Sequence, residues 1–398
     1  MKKFFLHDPK LLIYGFLIIF LASYGQTFFI SLFNIQIRNH YNLTNGQFGF
    51  VYAVATTLSS LLLINFAKLI DYIDLRLYSL IISFGIFLAC LGMFFLFKHI
   101  VFLFLIIFAL RFFGQGALNH AGETTMARYF GNNRGKAISV ATLGGMIGVM
   151  FLPIIVINLM NSFSINTIWL MASFTIILFI PLLFISLSNQ SLRHINFKKE
   201  TIDDPLNKKW RTRDVLKNSK FYVYLPLSIA PSFISTGLMF HQIFIFNQKG
   251  WSMEMLGNGY LLVGLFSIIG LLIGGPIIDK FNTRKTVLTA LSPLFICLLI
   301  LLFFNNYVSF IIYMIFYGLN YGITIPFIGA LWAEIYGVES LGTVKALLHA
   351  GGVLASALSP LIFGYLIDWG YGIFSIVFIS LIYIILATAL PLFKKIYE

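Results

Sequence analysis

The chain has 398 residues, of which 59% are hydrophobic and only 10% are charged. In soluble globular domains about a quarter of the residues are charged, because a surface that faces water has to be covered by polar groups. This composition excludes a soluble enzyme, a disordered protein and a nucleic-acid-binding protein. The net charge of +13, from 27 Lys and Arg against 14 Asp and Glu, belongs either to a binding patch or to the flanks of membrane spans.

In chain order, apolar stretches of at least about 20 residues recur along the chain, and this is the length that a helix needs to cross a bilayer. The predicted spans lie at 11–37, 46–70, 77–97, 100–126, 137–160, 165–187, 221–247, 255–278, 286–304, 308–332, 341–367 and 371–393. One connection between spans, from Ser188 to Lys220, is long and polar. We therefore predict an all-α integral membrane protein of twelve transmembrane helices, with an N-terminal six-helix bundle at 1–187, a cytoplasmic linker at 188–220 and a C-terminal six-helix bundle at 221–398.

The basic residues are distributed unevenly around these spans. With the N-terminus inside, all but four of the 27 Lys and Arg fall in cytoplasmic segments. The exceptions are Arg38, Lys98 and Lys249 in outer segments and Arg111 within the fourth span. Because cytoplasmic loops of membrane proteins are enriched in Lys and Arg, the charge indicates topology, with both termini cytoplasmic and no nucleic-acid partner. We expect a monomer in the lipid bilayer of a bacterial inner membrane.

Motifs for catalysis and metal binding are missing from the sequence. Cys90 and Cys297 lie in apolar runs, no CxxC or HExxH occurs, and no Gly-rich phosphate loop follows a strand pattern. Thiols in such runs are typical of an inert core. We therefore predict that the protein is not an enzyme and has no metal or cofactor.

The two halves of the chain resemble each other at an offset of roughly 207 residues. Asp71 to Arg76 follows the second span and Asp279 to Arg284 follows the eighth, each with an arginine five residues after an aspartate. Likewise, Ala127 to Gly131 aligns with Ala333 to Gly337. Parallel six-helix repeats predict two pseudo-symmetric bundles around a central pathway.

These features resemble the major facilitator superfamily over the full length of the chain. Gly275 to Lys280 fits the start of the superfamily's cytoplasmic loop motif, G-x-x-x-D-[RK]-x-G-[RK]. Arg111 to Gly116 resembles its fourth-helix motif, R-x-x-Q-G, with the glutamine displaced by one position. Ala127 to Ala137 is similar to the A-R-W-F-x-x-R-R-G-x-A stretch of monocarboxylate and oxalate/formate carriers. The resemblance implies a transporter that works by alternating access. Membership of the monocarboxylate or oxalate/formate carriers is a narrower hypothesis.

The loop motifs suggest a gate on the cytoplasmic side. Asp71 and Asp279 lie at the C-terminal ends of helices, where the helix dipole disfavours an anion. A nearby arginine or a neighbouring helix N-terminus would offset that, and such contacts could break when the transporter changes state. The gating candidates are Asp71, Arg76, Asp279 and Arg284. The alternative is that the basic residues of these loops only anchor the topology.

Ionisable residues inside the predicted spans are few. Arg111 lies near the middle of the fourth span, and of the 14 Asp and Glu only Glu123 falls clearly inside a span. At 1.5 Å rise per residue Glu123 is roughly 18 Å from Arg111 along the helix axis, so the two cannot pair directly. Because a guanidinium binds a carboxylate with two parallel hydrogen bonds, Arg111 favours an anionic small-molecule substrate. The alternatives are that carbonyls and amides of neighbouring helices satisfy Arg111, or that it belongs to a gate.

Other polar residues of the spans are candidates for the same pathway. Gln115 and Asn119 follow Arg111 at a spacing of four and share its helix face. The remaining substrate-binding candidates are Tyr24, Gln26, His241, Gln242, Tyr317, Asn320 and Tyr321. Protons are a candidate coupling ion, since imidazole titrates near neutral pH. The candidates for proton coupling are Glu123, His120, His241 and His349. For each residue the alternative is a buried group satisfied by its neighbours.

The sequence thus predicts a secondary transporter that moves a small organic anion, such as a carboxylate, by alternating access. Proton-coupled symport, antiport by anion exchange and facilitated diffusion all stay open. One alternative is an exporter of drug-like or siderophore-like compounds on the same fold. A second alternative is a transport-inactive protein that senses a ligand.

Overall fold

The structure is a computed structural model of the chain, and it describes residues 4–5, 8–188, 190, 210–281, 289–337 and 340–393. Within these ranges every regular element is helical. A helix satisfies its own backbone hydrogen bonds, which is required wherever the surroundings contain no water. The predicted all-α class is confirmed.

The first part of the chain forms nine α-helices in the described residues. These are α1 (Pro9–Ala22), α2 (Thr27–Ile30), α3 (Asn34–Tyr41), α4 (Asn45–Phe66), α5 (Leu75–Phe95), α6 (Ile100–Ala109), α7 (Asn119–Tyr129), α8 (Arg134–Met160) and α9 (Ile165–Ser186). A π-helical segment, Leu110–Leu118, joins α6 to α7. Short polar side chains begin several of the helices, as where the Asp8 carboxylate accepts from the Leu11 amide at 3.1 Å, because the first amides of a helix lack partners inside it.

The second part forms eight more α-helices in the described residues. These are α10 (Thr212–Lys217), α11 (Ser219–Phe240), α12 (Gln242–Lys249), α13 (Met253–Phe281), α14 (Ser292–Phe303), α15 (Tyr307–Tyr336), α16 (Leu341–Asp368) and α17 (Ile373–Phe393). Asn218 caps α11 through the Lys220 amide at 2.9 Å, and Asn306 caps α15 through the Ser309 amide at 2.8 Å.

The long helices match the predicted membrane spans. Ten described helical stretches are long and apolar enough to cross a membrane, and an eleventh arises if the bent pair Pro9–Gly25 and Thr27–Tyr41 is one span. The short apolar helix α14 lies at the ninth predicted span. The bend of 43° in the first span was not predicted, because the residues at the break, Ser23 to Thr27, contain no proline and only one glycine.

The chain divides into two compact units. Unit 1 contains the described residues of Met1–Asn42 and Val54–Pro205, and unit 2 contains those of Leu43–Ala53 and Leu206–Glu398. The first turns of α4 thus belong to unit 2 and the rest of that helix to unit 1. The predicted bundle and linker boundaries stay a prediction.

Each unit is built on matching helix pairs. In unit 1, α1 packs on α8 and α5 on α9, while in unit 2, α11 packs on α16 and α14 on α17. Small residues allow these approaches, as they do in membrane proteins generally. A Cβ on Gly144 of α8 would collide with the Phe16 carbonyl of α1, and one on Gly237 of α11 would lie 2.5 Å from the Phe363 ring of α16.

Candidate functional site

Arg111 lies in an irregular stretch of the fourth span. It is the second residue of the π-helical segment Leu110–Leu118, and only 1% of its surface is exposed. Segments with π-helical hydrogen bonds are rare and often occur at functional sites. From this segment the guanidinium reaches residues of the first and second spans in the same unit.

The guanidinium is held by three uncharged acceptors of unit 1. Its Nε donates to Oγ1 of Thr56 at 3.1 Å, and its Nη1 donates to the carbonyl of Gly25 at 3.1 Å and to Oγ1 of Thr27 at 3.4 Å. None of these three acceptors carries a charge, and together they position the guanidinium of Arg111. Buried charge in a low-dielectric region attracts an anion more strongly than the same charge in water.

The Gly25 carbonyl is available because the first span is interrupted there. Ser23–Gly25 is a 3₁₀ turn, and Gln26 has an extended backbone with φ −80° and ψ 153°. A break of this kind releases carbonyls that a continuous helix would use internally. The break packs directly on the π-helical segment, since a Cβ on Gly25 would collide with the carbonyl of Leu110 and one on Gly114 would lie 2.6 Å from Cα of Gly25.

Gln115 and Asn119, predicted to share a face with Arg111, are both half-buried in the fourth span. Nδ2 of Asn119 donates to the backbone carbonyl of Gln115 at 2.9 Å. Further along, the His120 ring lies 3.4 Å from Oγ1 of Thr124. Polarity along this helix thus extends away from the buried guanidinium toward half-exposed positions.

Glu123 and His349 lie at the surface of the chain, unlike Arg111. Both side chains are exposed in the isolated protein. Their role in proton coupling stays a prediction.

The two candidates of the first span differ in their surroundings. Tyr24 is 4% exposed, its hydroxyl lies 2.6 Å from Oγ1 of Thr175, and its ring packs edge-on against Phe29. Gln26 is half-buried at the helix break itself. Tyr24 is therefore engaged with neighbouring helices, whereas Gln26 is next to the acceptors of Arg111 in the sequence.

Unit 2 contains a second polar cluster, formed between α11 and α15. The Tyr317 hydroxyl donates to the backbone carbonyl of Ser235 at 2.9 Å, and Nδ2 of Asn320 donates to Oγ of Ser235 at 3.2 Å. Tyr317 and Asn320 are buried, while Tyr321 is 39% exposed. The structure thus brings two of the three predicted residues of the tenth span onto the seventh.

His241 and Gln242 lie where α11 ends and α12 begins. Nε2 of His241 is 2.9 Å from the backbone carbonyl of Pro360, and because a carbonyl can only accept, Nε2 carries the proton. Oε1 of Gln242 accepts from the Tyr260 hydroxyl at 2.6 Å. A small cavity borders this side chain, lined by Leu238, Met239, Gln242, Phe246, Leu256, Tyr260, Val263, Tyr313, Met314 and Tyr317.

The first loop motif pairs with a partner that the sequence did not indicate. Asp71 forms an ion pair with Nη2 of Arg128, whose Nη1 also donates to the Ile70 carbonyl at 3.3 Å. Arg76 instead caps the end of α9, donating to the carbonyls of Leu187 at 3.0 Å and Ser188 at 2.7 Å.

The second loop motif falls largely outside the description of the structure. Arg284 and the side chain of Asp279 lie outside the described residues. Their predicted role in gating stays a prediction.

Sequence reasoning also missed several residues of these clusters. Thr27 and Thr56 were overlooked, although hydroxyls in apolar spans are a usable signal.

Asp368, at the end of α16, accepts at Oδ1 from the Asn45 amide at 3.0 Å and at Oδ2 from the Gly46 amide at 2.7 Å. It thereby caps the N-terminus of α4 within unit 2, where the helix dipole favours an anion.

The sequence and fold have recognisable relatives. The family model of the Major Facilitator Superfamily matches residues 15–270 and 232–395. An uncharacterized MFS-type transporter of Bacillus subtilis (strain 168), YttB, is 26% identical over 124 residues, which are 30% of this chain and 31% of that protein. The aligned part is thus less than a third of YttB.

Solved structures match over nearly the whole chain. A D-xylose-proton symporter has a TM-score of 0.69 at 16% identity, covering 98% of this chain and 97% of its own. The nucleoside transporter NupG has a TM-score of 0.70 at 13% identity, covering 98% and 99%. A bacterial homolog of the human lysosomal transporter Spinster has a TM-score of 0.63 at 15% identity, covering 96% of each. At these identities the likeness shows the fold alone.

Proposed function

The chain belongs to the Major Facilitator Superfamily, and on this basis we propose that it is a secondary transporter that moves a small organic anion by alternating access. It is an integral membrane protein, and we place it in the inner membrane of a bacterium with both termini cytoplasmic. A carboxylate of the monocarboxylate or oxalate/formate type is the narrower form of the proposal, suggested by the stretch Ala127 to Ala137.

The buried guanidinium of Arg111 is the observation that carries the choice of an anion. It is 1% exposed and donates to Thr56, Gly25 and Thr27. An arginine in the middle of a membrane span costs about 2.5–3.5 kcal/mol on insertion scales. A substrate carboxylate would offset that cost while it is bound and would gain charge-assisted hydrogen bonds.

The neutral cluster of unit 2 contains further residues that are candidates for substrate binding. Tyr317, Asn320 and Gln242 supply hydroxyl and amide groups that can both donate and accept. Neutral groups of this kind discriminate between substrates by geometry and leave the charge balance unchanged. We therefore assign charge recognition to Arg111, and the neutral residues of unit 2 stay candidates for substrate binding.

Two sources of energy for transport fit this proposal, namely a proton gradient and the exchange of anions. His241, His120, His349 and Glu123 are the groups through which protons could drive symport. Without them, exchange of one anion for another would supply the energy. An exporter of drug-like or siderophore-like compounds would need no central cation, so Arg111 weighs against it, and a ligand sensor would bind without translocating.

Uptake into proteoliposomes tests the proposal directly. Vesicles containing the purified protein are supplied with a panel of labelled carboxylates, with neutral sugars and nucleosides as comparison substrates. We expect uptake of at least one carboxylate, a drop of roughly 100-fold in Arg111→Ala, corresponding to about 2.7 kcal/mol, and a smaller drop in Arg111→Lys, which keeps the charge and loses the fork.

Two controls separate loss of function from loss of folding. Arg38→Ala, an arginine predicted to lie in an outer loop, should leave uptake unchanged. Free guanidinium added to Arg111→Ala should restore part of the uptake if the vacated acceptors still stand in place. Full carboxylate uptake by a folded Arg111→Ala variant would refute the anion proposal, and a rate unaffected by a pH step would exclude its proton-coupled form.

A further inference from the structure

The segment that leads into the seventh span is fixed against other helices of unit 2, the unit to which it belongs. The Trp210 amide donates to Oγ of Ser340 at 3.0 Å, and the Trp210 ring packs edge-on against Tyr336 with ring centres 5.1 Å apart. Val215, in the middle of α10, is fully buried, and α10 packs against α16. The outward-facing side chains of this segment are therefore presented from a fixed platform, which we name the α10 platform (residues 210–222).

The exposed face of the α10 platform is strongly basic. Arg211, Arg213, Lys217 and Lys220 are all exposed. Arg213 and Lys217 are four residues apart on one helix, so their charges lie side by side and repel each other unless an anion lies close to both. The one acid of the platform, Asp214, is turned back to the Arg211 amide, from which its Oδ2 accepts at 3.4 Å.

Apolar and aromatic groups are exposed beside these cations. Trp210 is 36% exposed, Leu216 is 41% exposed and Tyr222 is 53% exposed. The Tyr222 hydroxyl donates to the Leu216 carbonyl at 2.9 Å, which ties the start of α11 to the end of α10. Trp and Tyr rings are enriched at the boundary between lipid headgroups and acyl chains, so this mixture of side chains matches both parts of a lipid molecule.

We propose that the α10 platform is a binding site for an anionic phospholipid, with the headgroup phosphate at the cations and the acyl chains along Trp210, Leu216 and Tyr222. A soluble phosphate or an acidic protein segment would engage the cations, but neither explains apolar side chains exposed beside them and continuous with a membrane span. Basic clusters next to a span attract anionic lipids, and each Lys or Arg near the surface contributes about fivefold in affinity. The site depends on no assumption about the transported substrate.

Native mass spectrometry of the full-length protein in detergent tests the site. The protein is titrated in parallel with phosphatidylglycerol, phosphatidylcholine and inorganic phosphate. We expect phosphatidylglycerol to bind at least tenfold more tightly than phosphatidylcholine, because only the first carries a net negative charge. Inorganic phosphate in millimolar excess should not displace the bound lipid, and displacement would refute a lipid site.

Matched variants localise the binding. R213Q/K217Q, which removes two of the four cations, should lose at least tenfold in affinity for phosphatidylglycerol. The control R134Q/K136Q removes two exposed cations at the start of α8, predicted to face the same side of the membrane, and should change affinity by less than threefold. Equal losses in both variants would show nonspecific attraction to basic loops and would overturn the proposal.

A second variant tests the apolar side chains of the α10 platform and keeps all of its charged residues. W210A/L216A should weaken phosphatidylglycerol binding several-fold and leave uptake of the transported anion measurable. Thermal unfolding in detergent verifies that each variant is folded before its affinity is compared. Unchanged lipid affinity in a folded W210A/L216A protein would show that acyl chains are not bound there and would reject the site as described.

Discussion

The polar cluster of unit 1 and the polar cluster of unit 2 are built differently, although the two halves of the chain share a repeat. In unit 1 a charged side chain, Arg111, donates to groups at a helix break, in a π-helical segment. In unit 2 the neutral side chains of Tyr317 and Asn320 donate to Ser235 from continuous α-helices. The repeat thus preserves the scaffold, whereas the chemistry of the two clusters has diverged.

The difference follows from the number of acceptors that each group needs. A guanidinium has five N–H donors, and a regular helix inside a membrane offers few acceptors because its carbonyls are bonded within the helix. The 3₁₀ break at Ser23–Gly25 frees one such carbonyl, and Thr27 and Thr56 add hydroxyls. A tyrosine hydroxyl needs a single acceptor, so unit 2 can hold its cluster without irregular backbone.

The most direct test of this difference removes one hydrogen-bonding side-chain group from each cluster. Arg111→Ala is expected to reduce anion uptake roughly 100-fold, whereas Tyr317→Phe removes one neutral hydrogen bond of about 1 kcal/mol and should reduce uptake by less than tenfold. Initial rates in proteoliposomes measure both. If Tyr317→Phe were the more damaging change, recognition would be centred on unit 2 and the assignment of charge recognition to Arg111 would be wrong.

The next largest effect is expected from a substitution that disturbs the backbone packing next to Arg111. Gly114→Ala places a Cβ 2.6 Å from Cα of Gly25, and overpacking of this kind costs about 1–3 kcal/mol. Gly351→Ala in unit 2 is the control, since its Cβ would meet neighbours only at 3.6 Å. Thermal unfolding should show a lower Tm for Gly114→Ala alone. Equal Tm values would mean that the break and the π-helical segment are not rigidly packed.

The acidic cap of unit 2 should have a smaller effect. Asp368→Asn leaves a side chain of equal size but removes the charge that faces the N-terminus of α4 at Asn45 and Gly46. Loss of a capping carboxylate costs about 1 kcal/mol. We expect a modest fall in Tm with uptake retained, and an unaltered Tm would show that the cap contributes nothing to stability.

The smallest expected effect belongs to the loop pair of unit 1. Asp71 is 57% exposed beside Arg128, and exposed ion pairs contribute about 0–1 kcal/mol. Asp71→Asn should therefore barely change Tm. A gating role predicts instead a changed rate of transport at unchanged stability, so stopped-flow uptake by Asp71→Asn distinguishes a gate from a topology anchor, which would leave both quantities as they were.

Much of the fold could be predicted because the relevant patterns are local. Apolar runs long enough to cross a bilayer predicted the helices, and the cap residues Asp8, Asn218 and Asn306 start helices where a short polar side chain precedes an apolar run. The break in the first span escaped prediction, since Ser23 to Thr27 contains no proline and only one glycine. A bend there depends on what packs against it.

Arg111 shows which features the sequence determines and which depend on tertiary packing. Its position as a charge near the middle of the fourth span could be read from the chain, because composition and span length are properties of a single segment. Its acceptors could not, since Thr56, Thr27 and Gly25 are 55, 84 and 86 residues away along the chain. The same holds for Asp71, whose partner Arg128 is 57 residues distant. Apolar length and charge placement determined the membrane fold, whereas packing between distant helices decided which groups surround each charge.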